Sequence, residues 1–289
     1  MFRNALLAAA GCVAIAMPLA HAHDHQKAAG KPDPALVAAV KGDWRSDANR
    51  ARDPYRHPAE SLTFWGLEPG MTVLEVQPGG GAYWTEIVAP YLKATGGSYY
   101  ATGADLADPE LPERWRESRA AWEKRFSDEG TWGSVDVVNW GRKSAPLPAD
   151  KFDLVIVSRS VHGWMRNEGM VDKAFRDLYA ALEPGGILAI EQHRANPGPQ
   201  DPQAESGYVT EAYVIEQAKK AGFELAASSE INANPKDTKD QPFGVWTLPP
   251  IRQSVPMGSK EPPAADFYRA KYDEIGESDR MTLRFGQGA

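Results

Sequence analysis

The densest chemical signal in the chain is Val73-Leu74-Glu75-Val76-Gln77-Pro78-Gly79-Gly80-Gly81-Ala82. A short apolar, β-branched run opens into three glycines, and a helix is expected directly after them. Glycines there let the backbone approach a ligand closely, and the free N–H groups of a starting helix attract an anionic group. A dinucleotide fingerprint would need glycine at 84, where Trp84 stands, and an acid about 20 residues further on. Nothing from Ile87 to Ala104 is acidic, and no Gly-Lys-Ser/Thr phosphate loop occurs. The plain alternative is a tight strand-to-helix turn without a ligand.

Two histidines stand where a reaction would need them. His162 follows the run Phe152–Ser158 by four residues, and His193 closes the run that begins at Ile187. An unperturbed imidazole titrates near neutrality and suits general base work; the bland reading is a loop histidine bonded to backbone. Tyr83 and Trp164 flank the same edge, either as stacking platforms for an aromatic acceptor or as packing. Arg52, Asp53, Arg56 and His57 precede the first strand, either capping a pocket or forming a solvated helix face.

The elements that would position these groups alternate in type. Helices are expected near Pro34–Val40, from Pro58 to the stop at Glu68-Pro69-Gly70, and over about 82–92, 170–182 and 210–221. Residues 110–127 are charged, with Trp115, Trp122 and Phe126 spaced for one helical face. Strands are expected at 71–76, 98–102, 135–138, 152–158, 187–191 and 223–229, with a last one at 281–285. Near-continuous apolar strands separated by helices imply βαβ units and a mostly parallel, doubly wound sheet with helices on both faces. Residues 45–289 read as a single domain with a Pro-rich excursion at 249–263, and residues 23–44 as a polar tail.

Three of these segments resemble motifs of the class I S-adenosylmethionine-dependent methyltransferases. They are Leu67-x-Pro-Gly-x-x-Val-Leu-Glu-Val with its glycines, the strand Phe152-Asp153-Leu154-Val155, and the turn Leu182-Glu183-Pro184-Gly185-Gly186-Ile187-Leu188. Order and spacing agree over residues 67–192. Arg52-Asp53, Arg56-His57-Pro58 and Asp279-Arg280-Met281 further resemble a group of exported bacterial predicted methyltransferases. The resemblance implies a Rossmann-like fold with an antiparallel last strand, and S-adenosyl-L-methionine as cofactor. It places Gly79, Gly80 and Gly81, with Gln77 in the position of the first motif glycine, beside the cofactor's methionine moiety. It gives Glu75 to the amino group, Asp105 to the ribose and Asn139 to the adenine.

The composition limits the partners. Lys+Arg is 32 against Asp+Glu 39, a net charge of -7, which disfavours nucleic acid and anionic lipid as partners. The opening, a lone Arg3, an apolar run from Ala5 to Ala16 and the triplet Ala20-His21-Ala22, reads as a secretory signal peptide over residues 1–22. That places the protein in the periplasm or outside the cell, with no stable membrane anchor. Cys12, the only cysteine, leaves a lipid-attachment reading open behind plain cleavage. Cleavage after Ala22 would expose His23-Asp24-His25, whose amine, amides and third-position imidazole form a nitrogen set for Cu(II) or Ni(II); a polar tail is the alternative.

The expected activity is therefore methyl transfer from S-adenosylmethionine to a small-molecule acceptor. The competing expectation is a non-catalytic ligand-binding protein that keeps the fold, with or without the N-terminal metal site.

Overall fold

The computed structural model describes residues 30–288. In chain order the elements are α1 (Pro34–Val40), α2 (Asp47–Arg50), α3 (Asp53–Arg56), α4 (Pro58–Phe64), β1 (Thr72–Val76), α5 (Thr85–Thr95), β2 (Ser98–Gly103), α6 (Glu113–Arg125), α7 (Glu129–Trp132) and β3 (Val135–Asn139). There follow β4 (Phe152–Ser158), α8 (Val161–Met165), α9 (Met170–Ala181), β5 (Leu182–His193), α10 (Glu211–Lys220), β6 (Phe223–Ser229), α11 (Arg269–Ile275) and β7 (Arg280–Gln287).

The strands form one seven-stranded sheet in the order β3-β2-β1-β4-β5-β7-β6. Pairings from β3 to β5 are parallel, whereas β7 runs antiparallel to both β5 and β6. This is the doubly wound sheet with an inverted last strand that the sequence leads one to expect. The order reverses direction between β1 and β4, and open α/β sheets bind ligands at such a switch point, outside the carboxyl ends of the strands.

Alternate side chains of the central strands feed two cores. Leu74, Val155, Val157, Leu188 and Ile190 pack on one face against Phe175 and Leu178 of α9 and Val214 of α10. Val73, Leu154, Ile156 and Ala189 pack on the other against Ile87, Val88 and Tyr91 of α5 and Leu62 of α4. Leu36 and Ala39 of α1 join that second core. The packed body thus begins at Pro34, inside the stretch that reads as a polar tail, because two apolar side chains are enough to seat this capped turn of helix.

Several boundaries differ from the sequence reading for local reasons. The helix after the glycines starts at Thr85 and not at 82, since Ala82 itself is left-handed with φ 47°. The helix from Pro58 ends at Phe64, and Gly66 at φ 83° turns the chain out. β5 begins at Leu182 because Leu182 pairs with Phe152 across an irregularity that absorbs the following turn. In α6 the expected apolar face is incomplete: Phe126, just past its end, is buried, but Trp115 is half exposed and no residue of the helix is buried. Its predominantly charged sequence gives it little to bury.

Candidate active site

The glycine loop leaves the end of β1 at the switch point. Gln77 is left-handed (φ 52°), and its N–H donates to the Thr102 hydroxyl at 2.8 Å, tying the loop to the end of β2. Its side-chain Oε1 accepts from the Trp164 indole at 2.9 Å. Asn49 donates to the Gly81 carbonyl at 2.7 Å and Arg125 to the Gly80 carbonyl at 3.1 Å. The carbonyls are thereby braced, while the N–H groups of Gly79, Gly80 and Gly81 have no partner among the described residues. A Cβ built on Gly79 or Gly80 would meet nothing within 4 Å. Free donors beside open space, ahead of the uncapped α5 N-terminus, form a cradle that fits the carboxylate end of an amino acid.

Glu75 lies behind this loop, buried between β1, β2 and α5. Its Oε2 accepts from Thr85 at 2.8 Å and from Tyr99 at 2.6 Å. Burial pushes its carboxyl up to about 7, against those two hydrogen bonds, which favour the charged form. Asp105 sits two residues past β2, half-buried, and accepts from the Ala107 N–H at 3.0 Å. Asn139 ends β3, exposed, and accepts from Arg119, whose Nη1 also donates to the Ala104 carbonyl at 2.7 Å. Arg119 thus straps the ends of β2 and β3, a role that nothing in its charged helix advertises.

On the other side of the switch point His162 and His193 come together, ring centroids 5.6 Å apart. Gln192 donates to His162 Nδ1 at 3.2 Å, an orientation fixed by its second bond to the Gly207 carbonyl at 3.2 Å. The neutral imidazole must therefore carry its proton on Nε2. Burial lowers His162 to about 4, further depressed by Arg166 and Arg159. His193 is buried against Ser278, and burial, His162 and Arg280 hold it well below the usual imidazole range. Both rings are neutral near pH 7. In this arrangement the Nδ1 lone pair of His162 is occupied by Gln192, and the free edge of the ring offers a donor.

The four expected substrate contacts take different places. Trp164 is 2% exposed and packs edge-on against Trp140 and Phe175, so it is core and not an exposed stacking platform. Tyr83 is equally buried, its hydroxyl donating to Asp53 at 2.7 Å and its ring lying 4.5 Å from the Arg56 guanidinium. Arg56 is fully buried, which removes the solvated-face reading. His57, left-handed at φ 41°, contacts Asn232 at 3.3 Å beside the arginines.

Around these residues stand Arg159, Glu191 and Glu277, which the sequence did not single out, and Arg280 of the Asp279-Arg280-Met281 motif. Glu277 receives Arg52 at 2.5 Å, Arg56 at 2.9 Å and Arg280; Glu191 receives Arg280 at 3.0 Å and the Ser158 hydroxyl at 2.6 Å. The signal that marks them is a run of acids and arginines at strand ends, visible only once β7 is seen to lie beside β5. His23, His25, Cys12 and the signal segment fall outside the described residues. Among the described residues no three His, Cys, Asp or Glu side chains gather for a metal, and no helix is long and apolar enough to cross a membrane.

The state of Glu75 predicts a pH effect with a definite sign. An unfolded glutamate titrates near about 4.3, so between there and pH 7 the folded chain holds a proton that the unfolded chain releases. Stability is present at low pH and falls as pH rises to about 7. Glu75→Gln removes this loss. Urea unfolding is expected to show the variant gaining on the parent by about 3 kcal/mol between pH 4.5 and 8, at 1.36 kcal/mol per pH unit. A constant difference across that range would contradict the buried, proton-holding state.

Comparison with known proteins agrees with this geometry. Residues 74–190 match the family described as "Methyltransferase domain". A ubiquinone/menaquinone biosynthesis C-methyltransferase from Hydrogenovibrio crunogenus is 29% identical over 125 residues, 43% of each chain, and one from Escherichia coli is 28% identical over the same length. The chain thus spans less than half the length of the curated relatives it matches. Among solved structures, an S-adenosylmethionine-dependent methyltransferase from Aquifex aeolicus aligns over 68% of this chain and 93% of its own, at 23% identity and a TM-score of 0.46. The Burkholderia thailandensis 1,6-didemethyltoxoflavin-N1-methyltransferase, with S-adenosylhomocysteine bound, aligns over 88% and 89% at 16% identity and a TM-score of 0.45. The stretch that matches the methyltransferase-domain model, residues 74–190, holds the glycine loop, β4 and the turn into β5, and the inverted last strand completes the sheet beyond it.

Proposed function

We propose that the protein transfers a methyl group from S-adenosylmethionine to a small-molecule acceptor, and that it does so after export. The observation that carries the reading is the braced glycine loop, with three unpartnered N–H groups beside open space at the switch point. Bound there, the cofactor supplies an electrophilic methyl on a sulfonium. Gly79, Gly80 and Gly81 would receive its amino-acid end, Glu75 would support the loop from below, and Asp105 and Asn139 stand at the β2 and β3 ends where a nucleoside would lie. Thr102 and Gln77 hold the loop's shape through their hydrogen bond.

What the chain contributes to the transfer is chiefly alignment, since in-line displacement needs no covalent intermediate. His162 would present its Nε2–H to the acceptor, with Gln192 fixing the ring and His193 packed behind it. The relatives named above as C-methyltransferases match over 125 residues only, so the methylated atom is not carried over from them. Export rests on the leading segment: the small residues Ala20 and Ala22 stand third and first before a signal-peptidase cut ahead of His23.

Three outcomes follow. Calorimetry with S-adenosylhomocysteine on the full chain is expected to show binding that Gly79→Val weakens at least about tenfold, because a branched residue at φ 67° is strained and its side chain enters the cradle; equal affinity would remove the cofactor assignment. For His162, alanine is expected to lower kcat/KM roughly tenfold, the worth of one donor, with asparagine restoring most of it and a level profile from about pH 6 to 9. A general base would instead cost about 10²–10⁴-fold. N-terminal sequencing of material from the cell envelope is expected to begin at His23, and an intact Met1 there would end the export reading.

A further inference from the structure

Four guanidiniums converge beyond the ends of β4 and β5: Arg52 and Arg56 from the segment before α4, Arg159 after β4 and Arg280 at the start of β7. Among the described residues, two carboxylates pair with them. Glu277 takes Arg52, Arg56 and Arg280, and Glu191 takes Arg280. Asp53 is already committed to Arg45 at 2.7 Å and to the Tyr83 hydroxyl. Arg159 makes no ion pair and no side-chain hydrogen bond among the described residues, although its Nε is buried. Both Nη atoms of Arg56, Nη2 of Arg52 and Nε of Arg280 are likewise buried without an acceptor. With the two histidines neutral, the cluster carries two cations more than anions. Buried cations are held by anions or by nothing favourable, and planar guanidinium edges match the oxygens of a carboxylate or phosphate in pairs.

The charge of the cofactor sharpens the argument, which rests here on the methyltransferase reading. S-adenosylmethionine carries an ammonium, a sulfonium and one carboxylate, and so brings a further net positive charge to a site that already has an excess. Arg52 lies nearest the glycines, its Nη1 3.9 Å from a Cβ built on Gly81, and it suits the cofactor's own carboxylate. Arg56, Arg159 and Arg280 lie on the histidine side, away from β2 and β3; Arg56 shares Glu277 with two other arginines, and Arg159 has no ion-pair partner among the described residues. We propose that these arginines bind the methyl acceptor, which carries a carboxylate or phosphate group seated between Arg56 and Arg159 beside His162.

The test uses the full chain saturated with S-adenosylhomocysteine, titrated calorimetrically with inorganic phosphate and, separately, acetate at constant ionic strength in chloride. One equivalent of anion is expected to bind, and the tighter of the two names the oxyanion class. Arg159→Gln, which gives up no hydrogen bond in the unliganded protein, is expected to weaken that binding at least about tenfold without lowering the melting temperature; Arg56→Gln, which breaks the buried pair with Glu277 and lowers the melting temperature, is expected to weaken anion binding likewise where it folds. No anion binding, or equal binding by Arg159→Gln, overturns the proposal. Anion and S-adenosylhomocysteine excluding one another would also overturn it, by giving the arginines to the cofactor's carboxylate. If anion binds in an Arg159-dependent way while S-adenosylhomocysteine never binds, the methyltransferase reading falls and the anion site stands alone.

Discussion

Glu277 holds three guanidiniums that come from opposite ends of the chain, and much of the molecule is arranged to make that possible. Arg52 and Arg56 belong to the helical segment that precedes β1, whereas Arg280 opens β7. To bring them together β7 must run antiparallel beside β5, so that Arg280 stands opposite His193. The arginines hold Glu277 well below the ordinary carboxylate range and press Glu191 down to about 2, overriding a burial that would raise both. The knot therefore remains ionised through neutral and mildly acidic conditions. It fixes the segment before α4 over the sheet edge, and with it Tyr83, which carries the Arg56 guanidinium on its face.

This arrangement explains which parts of the site were legible in the sequence. The glycine loop was visible because it is local: a buried strand, a Pro-Gly-Gly-Gly turn and a helix are contiguous, and each obeys its own backbone rule. The two Leu-Glu-Pro-Gly turns, at 67 and 182, announced β1 and β5 in the same way. The ionic knot was not visible, since its members lie in four separate stretches and charged residues in loops ordinarily face water. Tyr83 and Trp164 illustrate the same limit. Their positions along the chain were read correctly, but their exposure depends on what α3 and α9 lay over them.

The histidines show how a second contact changes a role. His162 and His193 do meet beyond β4 and β5, as their positions after strand ends suggest. Yet a single amide, Gln192, decides which ring nitrogen of His162 is free, and burial among arginines decides its charge. The chemistry of an imidazole is thus set by its neighbours on β5, one residue before His193 itself. Two neutral rings set beside an excess of guanidiniums leave this end of the sheet electropositive.

The place of β7 in the sheet also governs how the chain must fold. Among the described residues β6 has no strand neighbour but β7, so residues 223–229 cannot enter the sheet until residues 280–287 have been made and have threaded in between. The long Pro-rich excursion must be spanned first, which makes sheet completion a late, non-local event. Until then the apolar faces of β5 and β6 have no cover on that edge, and the arginine knot has neither Glu277 nor Arg280. A nascent or clipped chain lacking β7 would hold the glycine loop without the arginine knot, so assembly of the knot and closure of the sheet are one event.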